Sequence, residues 1–287
     1  MVETVIRVNQ IGRRKAARSR LERARGLLRC CRLCAHECGV DRSQDGAQGF
    51  CHAGPVAKVF SAQTEVSDEL ELIPTFAVAF SGCDLRCEFC ITGAESWNAS
   101  AGARLDAKLI AAQAAAAIQR GARSMMILGG EPTIHLPSVL ELVAELPETL
   151  KLIWKTNGHG AAIARELLDG LFDVWLVDYK FGNDACAEKL AHVPDYSRAV
   201  RENLRWAAER GELLVRHLLM PGHVDCCWQP VAAWLAESLP GIKVNLRTGF
   251  WPAWRAQRHD EFRSFLSEGE LERSREIAER FNLCLVQ

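Results

Sequence analysis

The chain has 287 residues, 48% of them hydrophobic, and a formal net charge of −1. That suffices for one sizeable buried core and gives no electrostatic case for nucleic-acid binding. The start, MVETVIRVNQ, has no apolar signal-like segment, and no apolar run approaches a membrane span, so the sequence predicts a cytoplasmic protein. Twelve cysteines are many for such a chain. In a reducing compartment they bind metal or do chemistry more often than they pair, which also predicts oxygen sensitivity.

Residues 1–29 are basic, with Arg13, Arg14, Lys15, Arg18, Arg20, Arg23, Arg25 and Arg29, and Leu21, Leu27 and Leu28 add modest helical character. They predict an arm or helix, either solvated or meeting an acidic partner. Residues 30–74 read as a cysteine-rich metal-binding segment. CRLCAHECGVDRSQDGAQGFC offers Cys31, Cys34, Cys38 and Cys51 at C-x2-C-x3-C-x12-C, with Cys30 in reserve. Four thiolates so spaced suit either zinc or a second iron–sulfur cluster. Gly39, Gly46 and Gly49 supply bends, and His36 or His52 could replace one cysteine.

From residue 75 to 287 the pattern is regular. Apolar, β-rich runs at 75–81, 124–129, 150–156, 173–179, 213–219 and 242–246 alternate with helical patterns near 104–120, 136–146, 160–170, 197–210 and 228–239. Ser267 and Glu270 have capping-box spacing before a helix reaching about Arg280. Alternation of this kind predicts βαβ units and a parallel sheet, with chemistry at the C-terminal strand ends.

The most specific motif follows the first of these strands. Cys83, Cys87 and Cys90, spaced x3 and x2 in FSGCDLRCEFC, can hold three corners of a cubane cluster and leave the fourth iron open to a small molecule. A structural zinc knuckle is the alternative. Gly82 permits the sharp turn into this loop. Other strands end in Gly129, Gly130 and Glu131; in Lys155, Thr156, Asn157 and Gly158; in Asp178 and Lys180 on one strand face; and in Met220, Pro221 and Gly222. Arg216 and His217 lie on opposite faces of one strand, so at most one points inward. His223 and Asp225 are candidate substrate contacts, and Cys226 and Cys227 read as unligated. Arg247, Phe250, Trp251 and Trp254 would line a substrate pocket, pack a lid or close the barrel bottom.

The C-x3-C-x2-C run resembles that of the radical S-adenosylmethionine (SAM) enzymes. The resemblance implies a partial (β/α)6 TIM barrel and a [4Fe–4S] cluster on Cys83, Cys87 and Cys90. It further implies SAM bound at the open iron and cleaved to a 5′-deoxyadenosyl radical, and an electron donor such as flavodoxin or ferredoxin. Phe89 would shield the cluster and contact adenine, and Gly129, Gly130 and Glu131 would meet the methionine moiety. Asn157, Asp178, Lys180 and His217 complete the implied cofactor residues. TNG, D-x-K and the PG turn are similar to those of glycyl-radical-enzyme activases, the branch typified by pyruvate formate-lyase activating enzyme. There Lys155 stands in the place of a cation-binding aspartate, and its ammonium would replace that cation. The N-terminal cysteines resemble those of PflX-type proteins of that branch. Ile91 and Thr92 stand where relatives carry Gln-Asn, and RTGF replaces a Met-Asp-Gln-Tyr element. The implied substrate is a protein or peptide; a small metabolite and a non-catalytic scaffold are the alternatives.

Overall fold

The computed structural model describes residues 12–44, 49–66 and 69–286; Gly46 and the first eleven residues of the basic arm lie outside them. Chain order runs α1 (Arg13–Leu27), β1 (Lys58–Glu65), β2 (Thr75–Phe80), α2 (Ala94–Trp97), β3 (Ala103–Arg104), α3 (Ala107–Gln119), β4 (Ser124–Gly129) and α4 (Leu136–Glu145). Then follow β5 (Leu152–Thr156), α5 (Ala162–Leu168), β6 (Val174–Asp178), α6 (Asp184–Ala191), α7 (Tyr196–Ala208), β7 (Glu212–Leu218), α8 (Gln229–Ser238), β8 (Lys243–Arg247), α9 (Glu268–Arg280) and β9 (Cys284–Val286).

One sheet holds the strands in the order β3-β1-β2-β4-β5-β6-β7-β8-β9. From β2 to β9 every pairing is parallel and in chain order, while β1 runs antiparallel to β2 and to β3. The six predicted strands are present as β2 and β4 to β8. The additions are β1, β3, β9 and the short helices α2 and α6. The helix expected from residue 104 begins at Ala107 because Asp106 caps it, accepting from the Lys108 and Leu109 amides at 3.1 and 3.0 Å. The predicted capping box is formed: Ser267 and Glu270 exchange side chain-to-backbone hydrogen bonds at the start of α9.

Both faces of the parallel strands are buried, as parallel sheets require. The outer face (Phe76, Val78, Met125, Ile127, Trp154, Trp175, Val177, Val215) packs into the large core with the helices. The inner face carries a smaller core of Ala77, Met126, Ile153, Val174, Leu176 and Leu214, with Leu72 beneath.

Helix α1 is basic yet docked. Ala17 and Ala24 are fully buried. Arg13 pairs with Asp173 at 2.8 Å, Arg23 with Glu166 at 2.6 Å, and Arg25 with Glu141. Arg20 donates to the Leu167 and Asp169 carbonyls at the end of α5, where a helix dipole favours a cation. The acidic surface it meets thus belongs to the same chain. Among the described residues no helix is long and apolar enough to cross a membrane.

Candidate active site

Strand residues of one parity share a face, so the inner core continues upward in steps of two. Above Ile153 come Lys155 and Asn157; above Leu176, Asp178 and Lys180; above Leu214, Arg216 and Leu218. All six line a cavity of about 410 Å³ at the C-terminal strand ends, together with Gly129, Gly130, Arg247, Gly249 and Trp251. Cys83, Cys87, Phe89 and Cys90 line the same cavity from the loop after β2.

Backbone contacts fix that loop. The Gly130 amide donates to the Phe80 carbonyl at 2.8 Å, and the Glu131 amide to the Gly82 carbonyl at 2.9 Å. A Cβ on Gly129 would lie 2.2 Å from the Phe80 oxygen, and one on Gly130 2.0 Å from the Gly82 oxygen. These glycines are therefore required first to seat β4 against the cysteine loop. Two contacts to sulfur follow: the Leu85 amide donates to Cys83 Sγ at 3.3 Å, and the Thr92 hydroxyl lies 3.2 Å from Cys90 Sγ. Behind the loop, Phe89 packs on Phe181, Phe250 and Phe262 at 6.0, 6.4 and 5.7 Å between ring centres.

Sequence reasoning passed over Asp84, which ties the loop to β5. It is fully buried. Its carboxylate accepts from Asn157 Nδ2 at 2.7 Å and meets His159 Nδ1 at 2.9 Å, while His36 Nε2 bonds its carbonyl at 2.7 Å. Burial alone would raise the Asp84 pKa, but the His159 and Asn157 hydrogen bonds outweigh it and hold the carboxyl below its ordinary range. Its position inside the cysteine motif was the available signal.

Glu131 requires a correction. It is not among the cavity-lining residues, because its carboxylate is turned to accept from the Thr133 amide and hydroxyl, the Thr156 hydroxyl and the Asn157 amide at 2.9, 2.5, 2.9 and 2.8 Å. Burial, and then the nearby Asp84, push its pKa up to about 7 against these donors. It braces the turn that carries Asn157.

His217 requires another. It is buried on the outer face of β7, its Nδ1 2.6 Å from the Tyr179 carbonyl and its ring 5.1 Å from Trp228. Arg216 enters the cavity instead, 2.7 Å from Glu69 and 3.7 Å from Asp178. Lys180 pairs with Asp178 at 2.5 Å and Lys155 lies 3.5 Å from Glu69, completing a charged wall of three cations and two carboxylates. Burial would raise Asp178, but Lys180, then Arg216 and Lys155, hold it at about 2. At the rim, Ile91 and Trp251 are exposed, and Trp254 packs on Trp97. The aromatic segment after β8 therefore sits at the mouth, and closure of the bottom is excluded.

Residues 78–235 match the model of the radical SAM superfamily. The chain belongs to that superfamily. Along the sequence it is similar to the uncharacterized protein MJ0674 of Methanocaldococcus jannaschii, with 28% identity over 93% of this chain and 79% of that protein. A shorter match, 33% identical over 44% of this chain and 49% of the relative, is to 7-carboxy-7-deazaguanine synthase of Methanothermobacter thermautotrophicus. Among solved structures, SuiB of Streptococcus suis bound to precursor peptide SuiA aligns with a TM-score of 0.54 at 17% identity, over 71% of this chain and 46% of that one. The chain thus spans under half of SuiB, and the likeness is one of fold.

A radical SAM enzyme implies a [4Fe–4S] cluster and SAM, and the residues present fit both. Among the described residues the only cysteines lining the cavity are three from one loop, which leaves one iron to face the open space. Burial pushes Cys87 up to about 12 and Cys83 well above the ordinary thiol range, so both need a bound metal to become thiolates. On the charged wall, Lys180 offers a cation to a carboxylate.

The N-terminal cysteine segment packs against the turns after β4 and β5. Cys31, Cys34 and Cys51 are buried, whereas Cys30 and Cys38 are exposed. Buried Arg42 donates to Cys31 Sγ at 3.3 Å and to the Ala53 and Ile134 carbonyls at 2.7 and 2.8 Å. Cys34 bridges to Gly160, and the Ala35 amide donates to the His159 carbonyl at 2.9 Å. His36 Nε2 is bonded to the Asp84 carbonyl, and His52 is exposed.

Proposed function

We propose that the chain reductively cleaves SAM and uses the resulting radical to abstract hydrogen from a protein or peptide. The observation that carries this is the meeting of Cys83, Cys87 and Cys90 with Asp178 and Lys180 on one cavity. The three cysteines hold the cluster. When bound, the cluster supplies the electron and SAM the 5′-deoxyadenosyl radical. Lys180 would meet the SAM carboxylate, Asn157 and the Gly129–Gly130 backbone would border the methionine moiety, and Phe89 would shield the cluster. Lys155, beside Asp178, fills the place of a monovalent cation, so activity would need no added sodium or potassium. A substrate seated across the aromatic rim would exclude water around a reactive radical. Parallel strands in unbroken chain order beside this cavity support a partial (β/α)6 barrel, and the TNG, D-x-K and PG elements support the PflX-like branch.

A peptide is favoured by the wide apolar mouth, where Ile91, Trp251 and Phe265 are 74%, 62% and 59% exposed. A small charged metabolite is the second reading, favoured by Arg247 and Arg216 inside the cavity. The cysteines of residues 30–74 hold a second iron–sulfur cluster or zinc, close enough to Asp84 to share its field.

The test is anaerobic reconstitution with a low-potential reductant or reduced flavodoxin, followed by assay of 5′-deoxyadenosine. The wild type should release it from SAM, and Cys87→Ala should release none. A fully loaded wild type that binds SAM without cleaving it under any reductant would overturn the proposal.

A further inference from the structure

A third group of cysteines lies outside the cavity. Cys186 is in the first turn of α6; His223, Cys226 and Cys227 come from the turn after β7. Their four ligand atoms all lie within 4.8 Å of one another. His223 Nδ1 is 3.6 Å from Cys186 Sγ, 3.3 Å from Cys226 Sγ and 3.7 Å from Cys227 Sγ, and the Cys186 and Cys226 sulfurs are 3.9 Å apart. Zinc–sulfur bonds of about 2.3 Å and a zinc–nitrogen bond of about 2.0 Å set tetrahedral edges of roughly 3.8 Å between sulfurs and 3.6 Å from sulfur to nitrogen. These four edges are within about 0.3 Å of those values, and the two remaining sulfur–sulfur edges are no longer than 4.8 Å. A cubane does not fit, since ligand atoms this close leave no space for four irons between them.

We propose that Cys186, His223, Cys226 and Cys227 form a closed Cys3His site for one zinc ion. Local structure converges on it. Residues Val224–Trp228 form a wide helical turn in which the Cys227 and Trp228 amides both donate to the His223 carbonyl, at 2.9 and 3.3 Å. Spacing of i, i+3 and i+4 puts His223, Cys226 and Cys227 on one side of that turn. Asn183, the cap of α6, donates one amide to Cys186 Sγ at 3.2 Å and to the Cys226 carbonyl at 2.7 Å. Gly182 allows the two segments to meet backbone to backbone, since a Cβ there would lie 2.3 Å from the Cys227 oxygen. On the far side of the imidazole, Nε2 is 3.8 Å from Glu261, itself held by Lys189 at 2.6 Å. A carboxylate behind a ligating histidine is the outer support such sites use.

With four protein ligands the ion has no open position, so its role is structural. It staples α6 to the turn after β7. Phe262 packs on both His223 and Phe89, at 5.6 and 5.7 Å, so the staple buttresses the aromatic wall behind the cysteine loop.

The decisive measurement is zinc and iron per chain, on protein produced with zinc in the medium and reconstituted anaerobically. Cys186→Ser/Cys226→Ser should lose one zinc per chain and keep its iron. Cys226→Ala removes only the exposed ligand, should fold, and should surrender that zinc to a chelator at least tenfold more readily than wild type. A wild type without zinc overturns the proposal. So does unchanged zinc content and retention in both variants, or a Cys186–Cys226 disulfide found by mass spectrometry of the anaerobic protein.

Discussion

The cavity's cysteine wall comes from one short loop, residues 83–90, whereas its charged wall gathers Glu69, Lys155, Asp178, Lys180 and Arg216 from four segments. The loop is fixed by backbone: Gly129 and Gly130 lie against Phe80 and Gly82 with no space for a side-chain carbon. The charged wall is joined by ion pairs between side chains of different segments. An arriving anion would compete with Glu69 and Asp178 for these cations, so partners can exchange within the wall. The cluster wall is thus a rigid mount and the charged wall an adjustable grip.

The largest effect that separates them should come from Gly130→Ala. Its new methyl would meet the Gly82 carbonyl at 2.0 Å, and backbone cannot step aside as a side chain can. A loss of about 3 kcal/mol is expected, at the upper end of overpacking costs, with iron content reduced because Cys83 must shift. Gly249→Ala also lines the cavity but meets nothing within 4 Å, so chemical denaturation should place it within about 0.5 kcal/mol of wild type. Equal stabilities would show that the mount is soft.

Lys180→Ala should act the opposite way. Removing a charge-assisted bond to a carboxylate costs about 2 kcal/mol, or roughly a 30-fold weaker SAM affinity, with iron content unchanged. Isothermal titration of the reconstituted protein reads both. If affinity holds and iron falls, the lysine supports the cluster and the two walls are one structure.

The same contrast explains what was legible in the sequence. The cysteine loop is local, so its spacing can be read directly, as can β2 and β4 to β8 from their apolar runs. Strand β1 was missed because KVFSAQTE is half-exposed and polar, and α6 because eight residues carry too little periodicity. Glu69 and Arg216 join Lys155 only through the sheet order, which no spacing records. The choice between Arg216 and His217 failed for a related reason: with both faces of β7 buried, no alternation marks the inner one. Cys186, 37 residues before His223, carries no local pattern at all.

His217 offers the finest test, since it sits one residue from the charged wall but behind it. Burial holds its pKa at about 4, against 6.5 for an ordinary histidine, and the hydrogen bond to Tyr179 offsets this only in part. The unfolded chain therefore takes up a proton below about pH 6.5 that folded His217 refuses until about pH 4. Wild-type stability should fall on acidification through this window, by up to about 1.4 kcal/mol per pH unit from this residue. His217→Gln cannot take that proton, so the stability gap between variant and wild type should narrow by about 1 kcal/mol between pH 6.5 and 5.5, the unfolded histidine being only half protonated at the start of that window. Other groups titrate alike in both proteins and cancel in the difference. A gap independent of pH would mean that His217 meets water, and that the inner and outer faces of β7 are less distinct than the packing indicates.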